Sequence, residues 1–352
     1  MSAPGDFQTL VALRARQGEL DALAELRGDR QVQPMLSLGY DEKGDTANLL
    51  DRVLATTRRL FDLGRVVMLD ATNMAAAPGF SGPADVLEQL ADRLSEPLDL
   101  FHLDPIPFIP VVNHAADQQT LAKVGHLARE LAHGCGLRIL TKSATAPSAA
   151  AAIEQLGVDP ANLDVVVDLE YIAGAHDFRV DEIASLIEAF DRNGPFRSTT
   201  ILSGSVPRML SHLHQTEQVR FEELLWRSLI SGGRRELRLG DYGTAHPVWD
   251  PKGFPPKHVN LKYTCGDHWL YLRERVPEAS TGVELRTERT VRLVSRNLID
   301  SGSFFGSAYS WGDDRLAEAA DGGGRGLGSR TKVVSFATSH HLAYLGEFGA
   351  AA

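Results

Sequence analysis

Short runs of apolar residues, most of them rich in Val, Ile and Leu, recur through the first two thirds of the chain. Runs of this kind are typical of strands that are buried on both faces of a parallel sheet. Eight strands are predicted, at Thr9–Leu13, Gln33–Leu38, Arg65–Asp70, Phe108–Asn113, Gly136–Thr141, Leu163–Leu169, Thr199–Leu202 and Glu236–Gly240.

Between these runs the apolar residues recur at helical spacing. In Thr46–Leu63, for example, Leu50, Val53, Leu54 and Leu60 share one face, which predicts an amphipathic helix. Further helices are predicted at Glu19–Leu26, Ala84–Leu94, Thr120–Ala132, Ser148–Leu156, Asp181–Phe190 and Phe221–Ser228. Eight strands alternating with helices predict an α/β fold, a (β/α)8 barrel of the TIM type. A doubly wound open sheet is the structural alternative.

The last third of the chain departs from this alternation. It contains, in order, a loop at Tyr242–His258, an extended stretch at Asn260–Arg273, a helix at Val283–Ser301, a glycine-rich segment at Asp321–Ser329 and a helix from about Ser339. The glycine-rich segment lacks the GxxxxGK[ST] pattern, so a flexible loop is predicted there. We predict one structural domain, with a barrel over 1–245 and an appendage over 246–352 that packs on it.

Composition and charge narrow the classes of function. The 352 residues are 43% hydrophobic and 23% charged, as in ordinary globular proteins. The net charge of −10 opposes non-specific DNA binding, which needs Lys and Arg to neutralise phosphates; a local basic pocket stays compatible with it. No stretch approaches the roughly 18 apolar residues that span a membrane, and Met1–Asp6 does not resemble a signal peptide. Cys135 and Cys265 lack metal-ligand spacing, so a cytoplasmic protein without disulfides is predicted.

In a TIM barrel, catalytic groups lie at the C-terminal ends of the strands. The charged and phenolic side chains predicted there include Arg14, Arg16, Asp70, Lys142, Asp168, Glu170, Asp241 and Tyr242. Carboxylates that face cations could perform acid–base chemistry on an anionic substrate. Asp168 is the strongest candidate because it follows Val165–Val167 and should lie near the barrel axis, where a carboxylate must be paired or have a shifted pKa. Strand alternation predicts Glu170 on the same face.

Structural roles compete with these catalytic ones. Arg138, four residues before Lys142, fits a salt bridge to a buried carboxylate equally well. The pairs His212/His214 and His340/His341 lack a metal-site motif such as HExxH, so neither a metal nor another cofactor is predicted. The aromatic residues of the last third could stack on a base or sugar over the barrel mouth, or simply seat the appendage on the barrel; they are Trp249, Tyr263, Trp269, Tyr271 and Trp311.

Several short strings suggest a known family. They are Leu13–Leu20, Pro195–Ser198, Leu239–Pro247, Leu261–Thr264, Trp311–Asp313 and Thr338–Leu342. In this order they resemble the beta-protein family, which is named for a protein of T-even bacteriophage and is widespread in bacteria. The resemblance implies phage, prophage or defence-associated loci but no settled activity. The residues that match the family's motifs are Glu19, Arg197, Asp241, Tyr242, Tyr263, Trp269, Trp311, Asp313, His340 and His341.

Two functional hypotheses follow. The first is a hydrolase or lyase that acts on a phosphate- or nucleotide-containing substrate, with Asp168 and Asp241 as an acid–base pair in one pocket and Tyr242 as a hydrogen-bond donor. Its substrate-binding residues would be Arg14, Lys142, Asp70, Glu170, Trp311 and His340. The alternative is a non-catalytic sensor in phage defence, with a protein partner or a second copy of the chain bound through the aromatic appendage. Fold alone does not separate the two.

Overall fold

The computed structural model describes residues 7–27, 31–42, 44–97, 104–234, 236–250, 257–278, 283–322 and 327–348. Three sequence-based predictions fall partly or wholly outside these ranges. They concern Met1–Asp6, part of the loop before His258, and the centre of the glycine-rich segment.

Eight parallel strands close into a barrel, which confirms the predicted fold and excludes the open sheet. They are β1 (Thr9–Arg14), β2 (Val32–Gly39), β3 (Met68–Asn73), β4 (Ile109–Asn113), β5 (Cys135–Leu140), β6 (Leu163–Tyr171), β7 (Ser198–Gly204) and β9 (Arg238–Asp241). Closure is made by β1, which pairs with β2 on one side and with β9 on the other.

Helices follow the first seven barrel strands and cover the outside of the barrel. They are α1 (Gln17–Ala24), α2 (Thr46–Asp62), α3 (Pro83–Ser95), α4 (Gln118–Leu131), α5 (Ala146–Leu156), α6 (Val180–Asp191) and α7 (Phe221–Ser231). Side-chain caps fix several starts: Asp45 and Asp117 each accept a hydrogen bond from a first-turn backbone N–H, as N-cap residues do. Helix α5 begins at Ala146, two residues before the predicted Ser148, and its N-cap residue is Thr145.

Strand alternation divides the core into two parts. On β1, Leu10 and Ala12 point into the barrel, whereas Val11 and Leu13 pack against the helices. On β9, Leu239 likewise packs outward. Because neighbouring residues of a strand point to opposite faces, the same alternation decides which polar side chains at the strand ends can meet.

A second sheet lies outside the barrel. It is antiparallel, with the order β10 (His258–Cys265), β11 (His268–Arg275) and β8 (His214–Val219). The segment of β8 lies between β7 and α7 in the chain and is not among the eight predicted strands. Strand β8 is an edge strand with mostly exposed side chains, so it carries no hydrophobic pattern and depends on pairing with β11.

Three C-terminal helices complete the fold: α8 (Val283–Asp300), α9 (Trp311–Asp321) and α10 (Arg330–Phe348). Helix α10 begins nine residues before the predicted Ser339, and α9 was not predicted. Leu342 and Leu345 of α10 belong to the barrel core. Helix α9 crosses α10 closely at Gly312, where an added Cβ would lie 2.0 Å from the carbonyl oxygen of Phe336.

Candidate functional site

Four buried side chains form a network inside the barrel, which we call the axial cluster: Asp70, Arg138, Asp168 and Tyr242. Arg138 donates from Nη1 to Asp70 Oδ2 and from Nε to Asp168 Oδ2, both at 2.7 Å. Its Nη2 reaches the Tyr242 hydroxyl at 2.9 Å. That hydroxyl in turn donates to the Asp168 carboxylate at 2.6 Å.

The axial cluster satisfies its own charges. Burial alone would lower the pKa of the Arg138 guanidinium, but Tyr242, Asp168 and Asp70 raise it well above its ordinary value. Burial and Asp168 raise the pKa of Tyr242, against the influence of Arg138, so the phenol stays protonated. Backbone N–H groups take the remaining carboxylate oxygens, from Thr72 to Asp70 and from Glu170 to Asp168. Arg138 therefore forms the salt bridge to a buried carboxylate that the sequence suggested as its structural role.

Asp241 lies in a different network, so the predicted shared pocket with Asp168 is wrong. Asp241 points out of the barrel, where both carboxylate oxygens contact Nε2 of His341 at 3.0 and 2.8 Å. Arg220 Nη2 is 3.4 Å from Oδ2. Burial alone would raise the pKa of Asp241, but His341 and Arg220 hold it below its ordinary value. The following residue, Tyr242, points inward because alternation reverses the face.

Arg220 connects this outer network to a buried carboxylate on α7. Arg220 Nε lies 3.3 Å from Oε1 of Glu222, and Trp269 Nε1 donates to the same oxygen at 2.9 Å. The hydroxyl of Ser205 donates to Oε2 of Glu222. The Trp269 ring stacks on His341 with centroids 5.1 Å apart. The motif residue Trp269 thus anchors the second sheet to the barrel, as the structural alternative for the aromatic residues proposed.

A third network holds α9, α10 and β10 together. Nδ1 of His340 lies 2.8 Å from Asp313 Oδ2, and Nε2 lies 2.9 Å from the carbonyl oxygen of Thr264. Tyr263 donates to Asp313 at 2.6 Å and stacks on His340, with centroids 3.7 Å apart. His340 is fully buried within this network.

The other predicted substrate-binding residues are scattered. Lys142 is 66% exposed and pairs with Glu170 at the rim, at 2.8 Å. A β-bulge after Asp168, with Glu170 at a positive φ of 57°, turns Glu170 away from the face it was predicted to share with Asp168. Trp311 begins α9 and packs against Phe336.

Arg14 lies in a separate, open cavity of about 730 Å³, which we call the mouth groove. Its walls come from the C-terminal end of β1, the segments after β7 and β9, strands β10 and β11, and helix α10. The described basic side chains that line it are Arg14, Arg16, Arg208, Lys257, Lys262, Arg273 and Arg330, together with His246 and His258; the described carboxylates are Glu19 and Asp250. Seven cations against two carboxylates is the reverse of the balance in the whole chain.

Burial is the main cause of the shifted pKa values in the groove, and the crowded positive charges add to the shifts of the basic residues. Burial and Arg14 lower the pKa of Lys262 to about 8, against the influence of Glu19. Burial and Arg16 likewise lower the pKa of Arg14 to about 10. Burial raises the pKa of Glu19, although Arg16, Arg14 and Lys262 oppose the shift. The groove is thus a partly desolvated site with unbalanced positive charge.

Rigid contacts fix the arginines of the groove. Arg14 Nη2 donates to the carbonyl oxygens of His246 and Val248, at 2.6 and 2.8 Å. The guanidinium carbons of Arg14 and Arg16 lie 5.3 and 4.9 Å from the centroid of a Trp249 ring, an arrangement typical of cation–π contacts. The Trp249 ring packs directly on Gly39, where a Cβ would lie 2.1 Å from it. Trp249 therefore positions these cations and is itself covered by them.

Sequence analysis missed most of this groove. Its floor is one face of β10, because His258, Asn260 and Lys262 alternate with the buried Val259, Leu261 and Tyr263. Arg273 pairs with Asn260 across the strands and shares that face. The alternation in HVNLKY was available as a signal for a strand with one polar face. Nothing in the sequence placed this face beside the end of β1.

Within the ranges described above, no group of three or more His, Cys, Asp or Glu side chains is arranged to hold a metal ion. No helix in those ranges has the length and apolar content needed to cross a membrane.

Nearly the whole chain matches a family model. No curated protein matches this sequence. The family model described as "Beta protein" matches residues 11–347, from β1 to the end of α10. The match includes the barrel, the second sheet and the three C-terminal helices. The chain therefore belongs to the Beta protein family.

Proposed function

We propose that this barrel binds a small phosphate-bearing anion, of the nucleotide class, in the mouth groove. The observation that carries the proposal is the surplus of cations around that cavity, in a chain whose net charge is −10. A volume of about 730 Å³ is in the range of small-ligand sites. A neutral or cationic ligand would leave the mutual repulsion of these side chains uncompensated.

The choice of phosphate rests on the donor set. Arginine presents planar, forked N–H donors that match phosphate oxygens, and lysine supplies a point charge. Both occur here on several elements that converge on one cavity. The segments after the last two barrel strands contribute to its wall, which is where TIM barrels frequently bind phosphate.

Turnover of the ligand, as a hydrolase or lyase would perform it, is a second candidate. The axial cluster offers little support, because Asp168 is fully engaged by Arg138, Tyr242 and a backbone N–H. Groove residues with pKa values near neutrality, such as Lys262 at about 8, are better placed for it. A role in phage defence and a cytoplasmic location remain proposals, supported by the family and by two free, buried thiols.

The test is calorimetric titration of the protein with ATP as the probe. Arg208 lines the groove, is 54% exposed and pairs only with Asp250 among the contacts described. Arg208→Glu should weaken ATP binding about tenfold or more, since a hydrogen bond to a charged group contributes roughly 1.5–3 kcal/mol. Addition of salt should weaken wild-type binding as well.

Arg179 provides a matched control. It is 72% exposed and pairs with one carboxylate, Glu182, on α6. Arg179→Glu makes the same change of charge at a residue that does not line the groove and should leave ATP binding unchanged. Equal losses in both variants, or no ATP binding by the wild type, would contradict the proposed site.

A further inference from the structure

One side chain in the mouth groove has the features of a base rather than of a phosphate clamp. His246 follows β9 and lines the groove. Its Nδ1 lies 2.9 Å from the carbonyl oxygen of Val206. A carbonyl oxygen can only accept, so Nδ1 carries the proton, and in a neutral ring Nε2 then presents its lone pair. No hydrogen bond of Nε2 to another described residue is present.

The surroundings keep this ring neutral and fixed. Burial, with the positive charges of Arg208, Arg14 and Lys262, lowers the pKa of His246 below its ordinary value, against the hydrogen bond to Val206. The backbone of His246 is held by Arg14, which donates to its carbonyl oxygen at 2.6 Å. The Tyr171 ring packs against the imidazole, with centroids 4.7 Å apart. A base oriented by a hydrogen bond at its other nitrogen is the arrangement general-base catalysis requires.

The second histidine of the groove is arranged differently. Nδ1 of His258 lies 3.2 Å from Nη2 of Arg273. A guanidinium can only donate, so Nδ1 of His258 must accept, and the proton of its neutral form lies on Nε2. Of these two imidazoles, His246 is therefore the one with a base nitrogen left for a ligand.

We propose that His246 is the general base for hydrolysis of a phosphoanhydride bond in a nucleoside polyphosphate bound in the mouth groove. The inference rests on the proposed function, since the groove must first bind this ligand. Water is the nucleophile: its oxygen forms a bond to phosphorus while its proton passes to Nε2 of His246. The bond from phosphorus to the bridging oxygen breaks, and the electron pair leaves with the departing phosphate. The cations of the groove offset the charge that develops there.

A polyphosphate is favoured over a monophosphate by charge. The described lining carries five more cations than carboxylates, a surplus that a chain of phosphates offsets more completely than one phosphate does. Lys262, whose pKa is about 8, is protonated at neutral pH and can pair with the departing phosphate. It would lose that ability in mildly basic solution.

The experiment measures ATP affinity by calorimetry and phosphate release from ATP, both in buffer with magnesium chloride. In His246→Asn the side-chain amide can still donate to Val206 but cannot accept a proton. The variant should retain ATP affinity and lose at least about 100-fold in kcat, the usual contribution of a general base. His126→Gln, a surface histidine on α4 with 68% exposure, should leave both quantities unchanged.

The pH profile of the wild type gives a test that needs no variant. The groups facing His246 are Arg14 from β1, Lys262 from β10, Arg208 after β7 and Tyr171 from β6. Phosphate release should fall on the acid side below the ordinary histidine pKa of 6.5 and on the basic side near pH 8, where Lys262 loses its proton. Release that persists in His246→Asn, or an acid limb above pH 6.5, would overturn the assignment.

The failure of this inference can be told from that of the proposed function. ATP binding without phosphate release by the wild type would overturn the role of His246 and leave a binding protein. Absence of ATP binding would remove the proposed function, and the catalytic role with it.

Discussion

Two groups of side chains in this protein hold cations whose pKa values are shifted in opposite directions. In the axial cluster, Tyr242, Asp168 and Asp70 outweigh the effect of burial and raise the pKa of Arg138. In the mouth groove, burial and neighbouring cations lower the pKa of Lys262 to about 8 and that of Arg14 to about 10. The positive charge of Arg138 is compensated by the partners within its cluster. Among the described residues, the positive charge of the mouth groove lacks such compensation.

Whether the charges of a region are compensated is therefore a better guide to its role, structural or functional, than its position in the barrel. The axial cluster has the location expected of a TIM-barrel active site, yet its donors and acceptors are matched to one another. The groove lies to one side, between the barrel and the second sheet, and its charge is unmatched. Titratable groups with perturbed pKa values in a cleft are functional candidates. Of the two regions compared, the groove is the one whose charge a ligand could compensate.

The largest effect should come from removal of the cation of the axial cluster. Arg138→Leu leaves Asp70 and Asp168 buried without a positive partner, which should lower the free energy of unfolding by about 3–5 kcal/mol. Urea denaturation measures the loss. ATP affinity of the folded fraction should be that of the wild type, because Arg138 does not line the groove. If Arg138→Leu instead lost ATP affinity while its free energy of unfolding stayed unchanged, the axial cluster would be the functional site.

A smaller loss is expected when one carboxylate of the same cluster is neutralised. In Asp168→Asn, Arg138 keeps its ion pair with Asp70, and the Asn oxygen can still accept from Tyr242. Loss of one charged hydrogen bond predicts about 1–3 kcal/mol of destabilisation, measured as above, with ATP affinity and any phosphate release retained. The reverse result, a native unfolding midpoint with no activity, would restore Asp168 as a catalytic residue.

The barrel was predictable from the sequence because most of its strands are buried on both sides and therefore mainly apolar. The first part of helix α10 was not predicted because its buried face includes the polar residues Ser335 and Thr338, and the hydroxyl of Thr338 is within hydrogen-bond distance of that of Thr244. A hydrophobic period cannot show such a face. Helix α9 did carry a signal, since Ser310 and Asp313 have the spacing of a helix N-cap and its partner.

The site was less predictable for two physical reasons. Successive residues of a strand point to opposite faces, so Asp241 points outward and Tyr242 inward. The sequence alone does not show which of the two faces the barrel interior. The groove joins residues more than 200 positions apart, such as Arg14 and Val248. Only the positions of Arg14 and Arg16 at the end of the first barrel strand were accessible, and the structure places both in the groove.

Lys262 allows the groove's uncompensated charge to be measured as stability. Its pKa of about 8 in the folded protein lies below the ordinary value of 10.5. Between these values the unfolded chain holds more protons, so stability should rise with pH. Partial exposure should keep the slope below the roughly 1.4 kcal/mol per pH unit of one full proton. Urea midpoints of wild type and Lys262→Met across pH 7.5–10.5 should show the rise in the wild type alone, and parallel curves would contradict the shift.

The smallest effect, an absence of binding, is expected with random-sequence duplex DNA. The cations of the mouth groove line a concave cavity of about 730 Å³, suited to one small ligand, whereas duplex DNA needs a basic face along which many phosphates bind. The whole chain carries a net charge of −10, so the surface beyond the groove should repel the duplex. An electrophoretic shift assay at about 150 mM salt should therefore show no complex at low-micromolar protein, although ATP binds the same sample. A salt-sensitive shift that Arg208→Glu abolishes would mean that the groove binds a polynucleotide backbone. The mouth groove would then be a nucleic-acid interface and not a site for a small ligand, while the axial cluster would keep its structural role.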